Sequence, residues 1–225
     1  MTKKNRLYIL SGLGVDRRVF RKMDLSFWEI VHIEWLPPLK EETISQYAAR
    51  LSAPITDPNP VLLGLSFGGM IAAEIAKQRP EAFIIQIASA LTRYDLPVLY
   101  RLIGKLRLYK ILPVRWLKWS NPVTEWFFGA KSREDKSLLK EILQDTDTLF
   151  LKWAIKEIVC WNNRTEPALY FRIHGEKDKI IPVKKMAGYQ MIIKNAGHFI
   201  TISHASEVSK ILKDLLPSYA PEPEI

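Results

Sequence analysis

Cysteine is nearly absent from this chain: Cys160 stands alone among 225 residues. A lone thiol excludes an internal disulfide and any cysteine-based metal cluster, and it fits a reducing compartment. We read it as a core residue. Long apolar runs are missing as well, since nothing approaches the roughly 20 consecutive apolar residues that a membrane-spanning helix needs. The opening "MTKKNRLYILSG" has a basic end with too few apolar residues behind it for a secretory signal peptide. The expected location is therefore the cytoplasm. Internal repeats and low-complexity segments are also lacking. Acid is scarce in one place: between Thr92 and Trp119 there are seven basic residues (Arg93, Arg101, Lys105, Arg107, Lys110, Arg115, Lys118) against one acid, Asp95. The formal net charge of +9 is thus concentrated locally. Such a balance fits nucleic acid, an anionic membrane, an acidic substrate or solubility alone. No recognised nucleic-acid-binding motif accompanies it, so nucleic acid is not an expected partner.

What is present suits one domain, with 48% hydrophobic residues to build its core. Short apolar runs read as strands: "RLYILSG" (6–12), "FWEIVHIEW" (27–35), "PVLLGLS" (60–66), "AFIIQIASA" (82–90), "ALYFRIHG" (168–175) and "YQMIIKNAG" (189–197). Helical patterns lie between them at 16–23, 41–51 and 68–80, and a last one covers 206–216. This alternation predicts an α/β fold, a mostly parallel sheet with helices on both faces. From Thr92 to Glu166 the rhythm breaks into helical patterns only, rich in Trp116, Trp119, Trp126, Phe127, Phe128, Trp153 and Trp161. The expected organisation is a core formed by 1–91 and 167–217, a helical insertion at 92–166, and a frayed tail at 218–225. At helical spacing the insertion's aromatic residues line an apolar pocket or bury against the body, and sequence does not choose between the two.

Gly64-Leu65-Ser66-Phe67-Gly68 matches G-x-S-x-G and lies between a predicted strand and a predicted helix, where a nucleophile elbow belongs. A strand that turns sharply into a helix strains its corner residue and needs small neighbours, here Gly64 and Gly68. A serine at that corner projects its oxygen at the carboxyl edge of the sheet, where open α/β folds bind ligands. A hydroxyl is a weak nucleophile until a base takes its proton. Of the four histidines, His32 lies inside an alternating strand, and we read it as half-buried structure. His174 ends a strand and reads as a satisfied structural histidine able to line the site, while His204 suits a cap or the surface. His198, just after the last strand, is best placed as the base. Asp178 and Glu176 both follow the preceding strand. Asp178 is preferred as the orienting acid, because Glu176 falls within the tight turn. Backbone N–H groups of Phe67, at the start of the helix, and of Leu13, in the loop that begins with Ser11 and Gly12, suit an oxyanion hole.

The order Ser66, Asp178, His198 resembles the α/β-hydrolase fold over nearly the whole chain. "GLSFGG", "HGEKD" and "NAGHF" are similar to its nucleophile, acid and histidine segments, and "SGLGVDRRVF" to its oxyanion loop and following helix. The resemblance implies that 92–166 is a cap over the site, shaping an acyl-side or leaving-group pocket, and it implies no cofactor and no metal. Two departures stand out. Ser11 occupies a position where many relatives carry histidine. The crossover from Asp178 to His198 is short, and a connecting helix there is a single turn or missing.

The expected activity is serine hydrolysis of an ester or thioester with a small or medium-sized, apolar or anionic acyl group. C–C bond hydrolysis or lyase chemistry on the same residues is the alternative, and an idle fold used as a binding protein is the alternative of another class. In 96–112 the apolar Leu99, Leu102, Ile103 and Leu106 share helical spacing while Arg101, Lys105 and Lys110 turn elsewhere. That pattern fits a helix resting on an anionic membrane surface, or a cap helix packed on the sheet with its charges in water. Oligomeric state is not legible.

Overall fold

The computed structural model describes residues 5–111, 118, 120–183 and 190–215. Its centre is a six-stranded sheet of β1 (Arg6–Leu10), β2 (Glu29–His32), β3 (Val61–Leu65), β4 (Phe83–Ile87), β5 (Tyr170–Gly175) and β6 (Gln190–Ile193). The strands lie in the order β2-β1-β3-β4-β5-β6, and every adjacent pair is parallel. The chain first winds outward from β1 to β2, then crosses back to β3 and continues the other way. The order therefore reverses between β1 and β3, which open α/β sheets use as the mouth of a ligand site.

Strand side chains divide by parity. Leu7, Ile9, Leu63, Ile85, Ile173 and Ile193 enter one apolar cluster, while Tyr8, Leu10, Leu62 and Ile84 enter the other. Both faces are covered, so these strands are continuous apolar runs. Among the described residues the helices are α1 (Ile44–Leu51), α2 (Phe67–Gln78), α3 (Val98–Lys105), α4 (Pro122–Phe128), α5 (Arg133–Asp145), α6 (Thr148–Cys160), α7 (Ile200–Ser203) and α8 (Ala205–Leu215). Two of those between β4 and β5 join the core directly. Leu138, Leu139 and Ile142 of α5 complete the first cluster, and Phe150 and Ala154 of α6 the second. Polar bonds hold α6 in place: Glu157 accepts from the Ile44 N–H at 2.9 Å, and the Trp153 indole donates to the Glu42 carbonyl at 2.8 Å. Trp161, just beyond α6, is buried and donates to Glu74 at 2.7 Å.

Several expectations need correction. Cys160 is exposed, not a core residue, because it ends α6 on the outward side. His32 is exposed, not half-buried, because β2 forms the edge of the sheet. The helix expected over 16–23 contracts to a 3-10 turn, Arg17–Phe20, capped by Asp16 and closed by a three-residue bond from Arg21 to Arg18. The helix expected over 96–112 stops at Lys105, where Arg107 takes a left-handed conformation. Its apolar face, one candidate for packing on the sheet, is exposed at Leu99, Leu102 and Leu106. β5 and β6 are parallel despite their short connection. Residues 184–189 of that connection and the tail 218–225 lie outside the described residues, as do Trp116 and Trp119.

Candidate active site

Every residue from Val61 to Ala76 is buried except Ser66, which is partly exposed. Its backbone sits at φ 52°, ψ −118°, a left-handed region that costs a non-glycine residue on the order of 1–3 kcal/mol. Surrounding bonds hold it there. The Ser66 N–H donates to the Ile87 carbonyl at 2.9 Å, and the Ser66 carbonyl accepts from the Ser89 hydroxyl at 2.5 Å and the Gly69 N–H at 3.0 Å. The turn leaves no room for side chains beside it: a Cβ on Gly68 would lie 2.2 Å from the Ser11 carbonyl oxygen, and one on Gly64 would lie 2.4 Å from Gly69 Cα. Gly68→Ala is therefore expected to lower unfolding free energy by about 3 kcal/mol or more, read as a shifted urea midpoint, since backbone has to move.

The other groups arrive at the same edge. The loop after β1 carries Gly12 and Leu13 beside the elbow, and a Cβ on Gly12 would come 3.3 Å from Ser66 Cβ. Ser11 closes this loop by donating its hydroxyl to the Val15 carbonyl at 2.8 Å, which answers what replaces the histidine of similar loops. Thr146, at the end of α5, braces it from outside by donating to the Gly14 carbonyl at 2.9 Å. Among the described residues, the N–H groups of Leu13 and Phe67 donate to no other protein group.

Asp178 and His198 follow β5 and β6, and both are buried. Asp178 Oδ1 accepts from the Ile180 and Ile181 N–H groups, each at 2.9 Å, which fixes the carboxylate. Its Oδ2 lies 2.7 Å from His198 Nδ1, and His198 Nε2 lies 2.9 Å from Ser66 Oγ. An ionised carboxylate only accepts, so Nδ1 carries the proton and Nε2 is free to accept from the hydroxyl. Burial by itself would raise the Asp178 carboxyl. The charge of His198 and hydrogen bonds from His174 and His198 outweigh it and hold the group well below the usual carboxylate range. The loops bearing the acid and the base are laced together: the Lys177 N–H donates to the Ala196 carbonyl at 2.8 Å, and the Glu176 N–H to that of Ile193 at 3.0 Å. Glu176 itself turns outward and accepts from the Asn195 N–H at 2.9 Å, away from His198.

The structure thus brings Ser66, His198 and Asp178 into one hydrogen-bonded line, with Leu13 and Phe67 at its opening. It leaves His32 and His204 apart; His204 pairs with Ser203 at 2.9 Å. Sequence reasoning undervalued His174. It is buried, donates from Nε2 to the Ile181 carbonyl at 2.7 Å, and stands 3.3 Å from Asp178 Oδ2. A support beneath the elbow was missed altogether. Arg172, fully buried in β5, donates to the Ser89 carbonyl at 3.3 Å and to Asp95 at 3.2 Å, while Asp95 also accepts from the Leu91 and Thr92 N–H groups. The available signal was an arginine inside an otherwise apolar strand.

Segments from 92–166 border the site. The Phe128 ring meets His198 edge-on with centroids 5.9 Å apart, and the Phe128 carbonyl accepts from the Phe199 N–H at 2.9 Å. Lys179 Nζ sits 3.4 Å from the centroid of the Trp126 ring. Burial, and next the charge of Asp178, raise the Tyr100 hydroxyl above its usual range. Beside the loop after β1, a cavity of about 410 Å³ is lined by Gly14, Val15, Trp35, Ile142 and Phe150 among others.

A family model described as "Alpha/beta hydrolase family" matches residues 10–211. The fold is similar to that of an esterase from Thermogutta terrifontis, at 14% identity and a TM-score of 0.69, with 96% of this chain and 90% of that one covered. It is also similar to a hydrolase from Oleispira antarctica (12%, TM-score 0.71, coverage 96% and 92%). An enol-lactonase from Burkholderia xenovorans is alike to a similar degree (14%, TM-score 0.69, coverage 96% and 92%). No curated protein matches the sequence.

Proposed function

Because the chain belongs to the alpha/beta hydrolase family, we propose that it is a serine hydrolase acting on carboxylic esters or thioesters. The observation that carries this reading is the continuous line from Asp178 through His198 to Ser66, at 2.7 and 2.9 Å, ending on the one partly exposed residue of a buried turn. Ser66 Oγ attacks the acyl carbonyl as His198 Nε2 takes its proton. Asp178 holds the imidazole in the required tautomer and stabilises the imidazolium. The Leu13 and Phe67 N–H groups receive the developing oxyanion. His198 then protonates the leaving alcohol or thiol, and water, activated by the same imidazole, releases the acid from Ser66. No step calls on a metal or cofactor.

We read 92–166 as a cap, supported by the Phe128 ring on His198 and the Thr146 hydroxyl on the Gly14 carbonyl. The cavity of about 410 Å³ beside Gly14 is the acyl pocket in this reading, and its volume falls within the range of small-ligand sites. A series of p-nitrophenyl esters from acetate to dodecanoate tests the assignment. Turnover is expected to rise from acetate to a medium chain and fall for the longest member. A flat absence of turnover across the series would reject it and favour carbon–carbon cleavage. The single thiol suits a reducing compartment, and we place the enzyme in the cytoplasm.

A further inference from the structure

The outward side of α3 and the turn after it is apolar and uncovered: Val98, Leu99, Leu102, Leu106, Leu108 and Ile111 are each 42–80% exposed. At 100° per residue, Val98, Leu99, Leu102 and Leu106 fall within about one third of the helix circumference, a single stripe. The opposite side is the one that packs. Gly104 lies so close to α6 that a Cβ there would come 2.1 Å from the Val159 carbonyl oxygen. Cations flank the stripe. Lys105 and Lys110 are exposed with no ion-pair partner among the described residues, and the Arg101 guanidinium has only the Tyr94 ring, 6.0 Å away. Asp95, the one acid of this stretch, is buried against Arg172 and so does not offset them at the surface.

A cavity of about 610 Å³ adjoins the stripe between α3 and the end of α6, lined by Arg93, Arg101 and Lys105 together with Val98, Leu102 and Trp161. The Nε atoms of Arg93 and Arg101 are buried there without a hydrogen-bond partner. Buried guanidinium donors left open call for an acceptor, and anionic oxygen is the strongest one. We propose that this face docks on an anionic phospholipid surface, with the leucines entering the acyl boundary and Arg93, Arg101 and Lys105 meeting the phosphate groups. A second copy of the chain is a poor occupant, since it would bring the same positive charge to the contact. The inference does not depend on the chemistry at Ser66.

Cosedimentation tests it, using the full chain with vesicles of phosphatidylcholine alone or with 30% phosphatidylglycerol. Expected is pelleting with the anionic vesicles only, reduced at least about tenfold by 0.5 M NaCl and again by Lys105→Glu. The pair Leu99→Glu, Leu102→Glu, on exposed positions, is expected to abolish pelleting with an unchanged urea midpoint, while Ser66→Ala pellets like the parent. Three results would overturn the proposal: no pelleting at low salt, equal pelleting on phosphatidylcholine, or a dimer without vesicles that the Leu99→Glu, Leu102→Glu pair dissociates.

Discussion

Ser66→Ala is expected to lower turnover of the best ester by on the order of 10⁴- to 10⁶-fold, with KM little changed. The reason is local. Alanine keeps the corner backbone, whose bonds to Ile87, Ser89 and Gly69 are all made by main-chain atoms of residue 66, so the fold and the mouth of the site persist. Only the oxygen that faces His198 Nε2 at 2.9 Å is lost. The urea midpoint should therefore shift by no more than about 1 kcal/mol, the net worth of one hydrogen bond. Turnover within tenfold of the parent would mean that another group attacks the carbonyl.

Asp178→Asn is expected to cost about 10⁴-fold in turnover through proton placement, not through lost shape. The asparagine oxygen can still accept from the Ile180 and Ile181 N–H groups, as Oδ1 does now. Its NH₂ group then faces His198 Nδ1, where the carboxylate accepted at 2.7 Å, and drives the imidazole proton to Nε2. A protonated Nε2 cannot take the proton of Ser66. The same variant changes the acid response of the fold. The Asp178 carboxyl is held below its ordinary range in the folded state. Its contribution is therefore complete above the unfolded value of about 3.9 and is lost as the pH falls through and below that value. Between about pH 5 and pH 3 the parent should lose urea resistance more steeply than Asp178→Asn. Equal slopes would place the acid-sensitive carboxylates elsewhere.

These two side chains, with His198, were legible in the sequence because each follows its own strand, and a parallel sheet delivers all such loops to one edge. Gly64 and Gly68 were legible because a strand packed tightly on a helix leaves no space for Cβ. What escaped reading depended on contacts between distant segments. His174 reads as a satisfied structural histidine, and it is one, yet folding of the acid loop also places it against Asp178. Arg172, Asp95 and Ser89 are 83 and 77 residues apart in their pairings, and no local pattern connects them. The stripe of α3 marks the limit of periodicity: leucines at helical spacing identify a face without saying what covers it. Gly104 carried the missing signal, since a glycine within a helix marks the side on which another backbone comes close. Cys160 failed for a similar reason, because an apolar context in sequence does not fix which way the last turn of a helix points.

The most direct measurement is mass mapping after treatment of the folded protein with a fluorophosphonate. The account predicts one phosphonyl group, on the oxygen of Ser66, with fluoride as the leaving group and no adduct after heat unfolding or in His198→Ala. An unlabelled native protein, or a label on a different serine, would contradict it.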